Sequence, residues 1–452
     1  MKTISLAHLL FFTFNFLLAQ TKLPIFQSPK DSSNHAMLTQ LINEEFMNGE
    51  KINGEKVDSM IVLRSEISAR ILGYEYSFNP SFTLCDQLNQ KSIDTITAIS
   101  VKSKRSIPRQ VYQCRNLRTL ELVNSQIKKL PRKLRRLHRL NTINIYANKI
   151  NKPLKLARNS TVKNLVLFAS DAPKRFNSFR LLQQLNLKNN NLEKFPDIKD
   201  CKNLKELNLN ENNITLDGLP NDFKSNLESL SLQNNKIQSV PAAVGFFTHL
   251  KILALDANEI ASIDPNISQL KNLQYLGLYN NNLSEVPKVL YELTSLKEID
   301  LYYNQIEHLE NEVSNWKNLE ILYLANNKLR TLPDNIGDLI SLRELYLHHN
   351  NINTLPENIG SLSQLTILRV NQNHLNDLPD AILKLDRIEN LDISGNFLQT
   401  LPYGTFHLNH LKILSLFNNP WDEPTQEFIH SQAQLLKEKN LIVHYDEPEF
   451  LD

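Results

Sequence analysis

Several residue types are scarce in this 452-residue chain, and each scarcity argues against a class of protein. The chain has only three cysteines, Cys85, Cys114 and Cys201, and none stands in a C-x-x-C pair typical of metal sites. Cys114 and Cys201 are too far apart along the chain to form a disulfide with each other, and we predict that they fill apolar core positions as small side chains. With ten glycines the chain has no phosphate-cradling glycine loop, and it lacks the G-x-S-x-G and H-E-x-x-H motifs. We therefore expect no catalytic residue, no metal and no cofactor, and we predict that the protein is not an enzyme.

A leucine-rich pattern fills most of the chain instead. The motif L-x-x-L-x-L-x-x-N-x-L recurs fourteen times between Leu117 and Trp421, mostly every 23 residues. In the copy that begins at Leu319, apolar Leu322 and Leu324 flank Tyr323, which is the alternation of a half-buried strand. One such strand cannot bury its apolar face alone, so successive copies must stack and place like positions in register in a parallel sheet. The copies begin at Leu117, Leu140, Val162, Leu182, Leu204, Leu227, Leu250, Leu273, Leu296, Leu319, Leu342, Leu365, Ile388 and Leu411.

The ninth position of the motif is Asn in twelve of the fourteen copies, and Ser125 and Ser170 are the exceptions. An inward-pointing Asn side chain offers donors and an acceptor to the backbone at the turn that leaves each strand. We interpret these residues as structural. The alternative is a polar ladder that contacts a ligand.

The second half of each copy reads L-P-x-x-I-x-x-L, as in residues 332–339. Proline suits the first turn of a short helix, and the Ile and Leu three residues apart form one apolar stripe of a helical or 3₁₀ segment. With strands inside and bulkier segments outside, the stack should bend into a horseshoe.

This pattern resembles the leucine-rich repeat family, specifically its 23-residue class with L-P-x-x-I-G-x-L segments, found in bacterial proteins and in eukaryotic Ras-associated repeat proteins. The resemblance covers about two-thirds of the chain. It implies an α/β fold, a right-handed solenoid with a parallel β-sheet on its concave face. It also implies an interaction scaffold, although such repeats bind many unrelated ligands.

The two ends of the chain depart from the repeat. Lys2 and the apolar run from Leu9 to Leu18 are typical of a secretory signal, and an uncleaved anchor is the alternative. We therefore predict a secreted or cell-surface location, periplasmic or extracellular. The predicted divisions are a signal peptide at 1–20, an N-terminal cap or small module at 21–95, the solenoid at 96–421 and a C-terminal cap at 422–452.

Side chains at the third, fifth and seventh positions are predicted to stand exposed on the concave face. Aromatic, histidine, arginine and acidic residues converge there in the copies from Leu273 to Leu365, whereas the three preceding copies carry mostly Asn, Ser, Gln and Ala. Tyr and Arg often anchor protein interfaces, so we predict that a protein ligand binds here. The alternative is that Tyr is simply a good strand former. We call the predicted residues the aromatic face: Tyr275, Tyr279, Asp300, Tyr302, Tyr303, Tyr323, Glu344, Tyr346, His348 and Arg369.

Charge is distributed unevenly along the chain. Residues 101–180 contain 21 Lys or Arg against Glu121 and Asp171, a net of +19, and the remaining 29 bases and 46 acids give −17. Such a patch can attract an anionic polysaccharide, envelope or membrane surface, so adhesin-like binding is the alternative function. A solvated outer face is the simpler interpretation, and we do not expect a nucleic-acid partner. The densest run, predicted on the outer side, is called the basic cluster: Arg132, Lys133, Arg135, Arg136 and Arg139.

Overall fold

The computed structural model describes residues 82–90, 93–148, 153–156, 161–173, 175–176, 178–220, 225–436 and 441–446. The chain divides into two units, 1–78 and 79–452, and all of the described residues belong to the second. The predicted signal peptide at 1–20 and most of the predicted 21–95 segment lie outside the described residues.

A parallel sheet is the framework of the second unit. In the described part of the chain it has 17 strands, and each pairs with the next along the sequence, except that β9 and β11 pair only with each other. The register advances by one copy per strand, so Leu322 lies opposite Leu345. The predicted α/β leucine-rich solenoid is confirmed. The strands are β1 Thr83–Leu84, β2 Ala98–Lys102, β3 Thr119–Val123, β4 Thr142–Tyr146, β5 Asn164–Phe168, β6 Gln184–Asn186, β7 Glu206–Asn208, β8 Ser229–Ser231, β9 Ser239–Val240, β10 Ile252–Ala254, β11 Ser262–Ile263, β12 Tyr275–Gly277, β13 Glu298–Asp300, β14 Ile321–Tyr323, β15 Glu344–Tyr346, β16 Ile367–Arg369, β17 Asn390–Asp392, β18 Ile413–Ser415 and β19 Ile442–His444.

Short 3₁₀ segments connect many of the strands. In the copy at 319–341, Pro333 precedes the segment Asp334–Asp338, and Ile336 is buried in the core. A Cβ at Gly337 would collide with the carbonyl oxygen of Asn358 in the next copy, so only glycine permits this approach. The described residues contain 3₁₀ segments at Cys85–Gln90, Ile93–Thr95, Arg109–Gln113, Arg132–Arg136, Ala242–Phe246, Pro265–Gln269, Lys288–Glu292, Asn311–Asn315, Asp334–Asp338, Glu357–Ser361, Asp380–Lys384 and Thr405–His407.

All twelve ninth-position asparagines hydrogen-bond to the backbone, as predicted. Ten of them are buried, and Asn258 and Asn419 are half-buried. Asn327 Nδ2 donates to the carbonyl oxygens of Leu301 at 2.9 Å and Leu324 at 3.0 Å. Its Oδ1 accepts from the amide of Ile306 at 2.9 Å. One side chain thus satisfies backbone groups of two successive copies, which would otherwise be buried without partners.

Both ends of the sheet carry additional elements. At the N-terminal end, β1 pairs with β2 and lies inside the 21–95 segment. At the C-terminal end, the helix α1, Glu423–Leu436, begins after Asp422, whose carboxylate accepts from the amide of Thr425 at 2.9 Å as a helix cap. The strand β19 then pairs with β18. No helix in the described ranges is both long and apolar enough to cross a membrane.

Two of the cysteines fill core positions, as predicted. Cys114 and Cys201 are buried and carry free thiols. Burial raises the pKa of the Cys201 thiol to about 12, so at neutral pH it stays protonated and behaves as a small apolar side chain.

Candidate ligand-binding face

The sheet register brings the predicted face together. The fifth-position residues of the neighbouring strands β13 to β17 lie side by side on one face of the sheet, because each pairs in register with the next. The row is Asp300, Tyr323, Tyr346, Arg369 and Asp392. Along the row the side chains are an acid, two aromatic rings, a base and a second acid.

Within this row the side chains contact one another closely. The rings of Tyr323 and Tyr346 stack with centroids 4.9 Å apart, and the Arg369 guanidinium carbon lies 5.8 Å from the Tyr346 ring centroid. The Tyr346 hydroxyl donates to Glu344 at 2.8 Å. These contacts hold the aromatic planes in fixed orientations, which is the property expected of an interface anchor.

A second group of rings lies at the C-terminal end of the strands. The ring centroid of Tyr279 lies 5.7 Å from those of both Tyr302 and Tyr303, and the latter two centroids are 4.6 Å apart. The Tyr302 hydroxyl lies 3.4 Å from His348 Nε2. The His348 ring centroid in turn lies 6.4 Å from that of Tyr346, which joins this group to the fifth-position row. Rings from the copies at Leu273, Leu296 and Leu342 therefore form one connected surface.

The expectation that these side chains stand exposed is wrong for most of them. Only Tyr303 is exposed, at 40%, and Tyr279 is half-buried. Period-two alternation predicts which side of the sheet a residue faces, but not how far its neighbours cover it. Along the sheet, large side chains about 5 Å apart cover one another, as the Tyr323–Tyr346 stack shows. The eight buried members are Tyr275, Asp300, Tyr302, Tyr323, Glu344, Tyr346, His348 and Arg369.

Further charged residues lie on the same face outside the predicted set. Glu298 holds the third position next to Tyr275, and Asp256 accepts from the Tyr279 amide at 3.1 Å. The signal was present in the sequence, because Glu298 holds the same repeat position as Glu344. His349, which follows the seventh position, is exposed.

Asp392 ends the fifth-position row in a buried environment. Burial raises the pKa of its carboxyl, although a 2.6 Å hydrogen bond from Ser394 Oγ and the charge of Arg369 act in the opposite direction. On β19, burial lowers the pKa of His444. Among the described residues, no group of three or more His, Cys, Asp or Glu is arranged to hold a metal.

The basic cluster lies away from the sheet face. Four of its members form the 3₁₀ segment Arg132–Arg136 together with buried Leu134, and Arg139 precedes the next strand. All five basic side chains are exposed, and none forms an ion pair within the described ranges. The predicted outer position agrees with this placement.

Comparisons with known proteins identify the repeat. Residues 334–449 match a family model described as a leucine-rich repeat region, and models of single or paired leucine-rich repeats match 203–225, 225–270, 248–306 and 294–352. Together these matches run from 203 to 449 without interruption. A comparison with curated protein sequences finds no match.

Solved structures show the same fold. A leucine-rich repeat protein of Leptospira interrogans is 27% identical with a TM-score of 0.64, over 81% of this chain and 99% of that one. An internalin of Listeria monocytogenes is 21% identical with a TM-score of 0.54, over 74% and 88%. The Arabidopsis receptor kinase HAESA, in complex with a peptide hormone and a co-receptor, is 24% identical with a TM-score of 0.53, over 71% and 57%. The chain belongs to the leucine-rich repeat family, as its repeat pattern predicts.

Proposed function

We propose that this chain is a secreted or cell-surface interaction scaffold that binds a protein partner over the aromatic face. The observation that carries the proposal is the change of chemistry along one sheet. Strands β6 to β8 present mainly small polar side chains such as Asn186, Asn208 and Ser231. Strands β12 to β16 present stacked tyrosines, carboxylates and Arg369, the residue types that most often supply binding energy.

Solved structures of the same fold support this proposal. The receptor kinase HAESA is in complex with a peptide hormone and a co-receptor, and a plant peptide hormone receptor of similar fold, RGFR1, is in complex with RGF2. The predicted secretory signal at 1–20 would place this chain in a compartment where such partners are found.

The accessible rings, Tyr279 and Tyr303, provide the sharpest test. Buried Tyr302 and Tyr346 serve less well, because truncating a buried aromatic side chain costs about 3–5 kcal/mol and would confuse folding with binding. Immobilised wild-type protein and a Tyr279→Ser/Tyr303→Asn variant are exposed to native extracellular fluid, and captured proteins are quantified. Both proteins should melt within a few degrees of each other.

We expect the variant to capture at least about tenfold less of the specific partner, since anchor residues contribute about 2 kcal/mol or more. A matched variant, Arg132→Gln/Arg135→Gln/Arg136→Gln, should capture it normally. Identical capture by the tyrosine variant and the wild type would refute the proposal.

A second candidate function is supported by the basic cluster. Later copies pair their bases with acids, as in the Lys297–Glu320 contact at 3.2 Å and the Lys251–Glu228 contact at 2.8 Å. Arg132, Lys133 and Arg136 form no such pair within the described ranges and are exposed. Clustered exposed cations favour adhesin-like binding of an anionic polysaccharide or envelope surface.

Heparin and anionic lipid vesicles test this second function. We expect the wild type to be retained at low salt and released as salt rises, because screening weakens exposed charge contacts. The triple Arg→Gln variant should elute markedly earlier, whereas the Tyr279→Ser/Tyr303→Asn variant should elute with the wild type. No retention of the wild type at low salt would remove this candidate.

A further inference from the structure

The eighth position of each copy turns the backbone into the left-handed region. The fourteen eighth-position residues and Ser103, which holds the equivalent place after β2, share this conformation, with φ between 47° and 60°. Left-handed backbone costs a residue with a Cβ about 1–2 kcal/mol, least for Asn and Asp. The row is Ser103, Asn124, Ala147, Ala169, Asn189, Glu211, Asn234, Ala257, Asn280, Tyr303, Asn326, His349, Gln372, Gly395 and Asn418.

Two members of this row carry rings, Tyr303 and His349, and both are exposed. Asn280 and Asn326 occupy the same place in neighbouring copies, so a small polar residue with less backbone strain satisfies the fold there. Because both rings are exposed, their burial contributes little free energy to offset the backbone strain at these positions. Strained backbone of this kind is often found where a protein contacts a ligand.

The two exposed rings are connected through the face beneath them. The ring centroid of Tyr303 lies 4.6 Å from that of Tyr302, the Tyr302 and His348 centroids are 5.6 Å apart, and those of His348 and His349 are also 5.6 Å apart. Tyr279 meets Tyr303 edge-on. A continuous aromatic edge therefore spans the copies from Leu273 to Leu342.

Negative charge predominates beside this edge. Three acids, Glu298, Asp300 and Glu344, lie on the face of β12 to β16 against one base, Arg369. A fourth acid, Asp256 of the preceding copy, lies beside β12. At Gly277 the sheet has no side chain, and the Asp256 carboxylate occupies the space where a Cβ would point. Carboxylates next to aromatic rings attract ammonium and guanidinium groups, because the ring quadrupole and the Coulomb attraction act together.

We propose that the partner presents a segment bearing Lys or Arg, and that Tyr279, Tyr303 and His349 hold its cationic side chains at the edge of the sheet. This inference rests on the proposed function and adds the partner's chemistry to it. The charge of the face and the exposed rings at its edge both select a cationic segment over an acidic one.

The test uses fluorescently labelled peptides of one length and sequence that differ only in having Lys, Gln or Glu at alternate positions. Affinity is measured by anisotropy near physiological salt for the wild type and for Tyr303→Asn/His349→Asn, which installs the residue that the row itself uses most. The matched control is Glu211→Asn, in the same row four copies before Tyr303.

We expect the Lys peptide to bind at least about tenfold more tightly than the Gln and Glu peptides, and the double variant to lose about tenfold of that affinity, the effect of one to two cation–π contacts. The control should change the affinity less than about twofold. Equal affinities for the three peptides, or a Lys-peptide affinity unchanged in the double variant, would overturn the inference. If the peptides show no preference while the Tyr279→Ser/Tyr303→Asn variant still loses its captured protein, the proposed function stands and only this inference falls.

Discussion

Two segments at the same place in the repeat, 130–137 and 332–339, have the same core and opposite surfaces. Both read L-P-x-x-[LI]-x-x-L, and their three aliphatic positions are buried alike. The other positions differ: Arg135 stands where the later segment has Gly337, and Arg136 stands where it has Asp338. Burial of three side chains therefore suffices for the local fold, and the remaining positions are free to determine packing between copies and surface charge.

The later segment belongs to the more regular part of the molecule. From Asn311–Asn315 to Asp380–Lys384 the 3₁₀ segments follow one another in successive copies. Between residues 137 and 241 the described part of the chain contains no 3₁₀ segment. We infer that close packing of these segments is a property of the later copies, whereas the earlier copies tolerate bulky charged side chains.

The largest effect should come from breaking that close packing. Gly337→Ala would push a Cβ against the Asn358 carbonyl, so we expect a loss of about 3 kcal/mol in the free energy of unfolding. The equivalent change in the earlier segment, Arg135→Ala, removes only an exposed side chain and should cost less than about 0.5 kcal/mol. Urea unfolding of both variants measures the difference. Equal losses would show that the two segments pack alike.

The ninth position offers the next contrast. Asn327→Ala removes the bonds that Nδ2 donates to three backbone carbonyls and the one that Oδ1 accepts, so we expect a cost of about 2 kcal/mol. Ser170 holds the same position in an earlier copy, where its hydroxyl donates to Phe168 O at 3.0 Å and accepts from the Asn148 amide at 3.0 Å. Ser170→Ala should cost about 1 kcal/mol. Thermal unfolding of both variants measures the two losses. A larger loss for Ser170→Ala than for Asn327→Ala would contradict this ranking.

The repeat made most of the fold predictable. The 23-residue spacing specified the strand register, and the backbone-bonded asparagines followed from the ninth position of the motif. These features depend on contacts that recur at fixed intervals, so one copy predicts the next.

The candidate site was less predictable. Alternation placed Tyr323 and Tyr346 on the correct face, but their burial depends on ring size and on which residues stand beside them across the sheet. The left-handed row at the eighth position was missed, although Asn at 124, 189, 234, 280, 326 and 418 is a readable signal for positive φ. Tyr303 and His349 are informative because they depart from that signal.

A moderate, pH-dependent effect should come from Glu206 on β7, ahead of the aromatic face. Burial raises the pKa of its carboxyl from 4.5 to about 7, despite a 2.9 Å hydrogen bond from Gln184. Because the folded state favours the protonated form, its destabilising effect grows as the pH rises from about 4.5 and is complete above about 7. Glu206→Gln should therefore raise stability at pH 8 by about 1 kcal/mol, discounted for partial exposure, and by less at pH 5. Melting experiments at pH 8 and pH 5 measure the two gains in stability. Gains of the same size at both pH values would contradict the raised pKa.

The smallest effect on stability should come from reversing one exposed charge in each of the two segments, 130–137 and 332–339. Arg136→Asp places the residue found at 338 within the basic cluster, where it relieves repulsion among neighbouring cations. We expect a gain of up to about 0.5 kcal/mol at low salt that disappears at high salt, because exposed charges are screened over about 10 Å at 0.1 M. The reciprocal change, Asp338→Arg, lies among mixed charges and should change stability less, with little salt dependence. If both changes respond to salt equally, the basic cluster is not under internal repulsion. Its unpaired charges would then give no reason to look for an anionic partner, and the case for the aromatic face as the sole binding surface would strengthen.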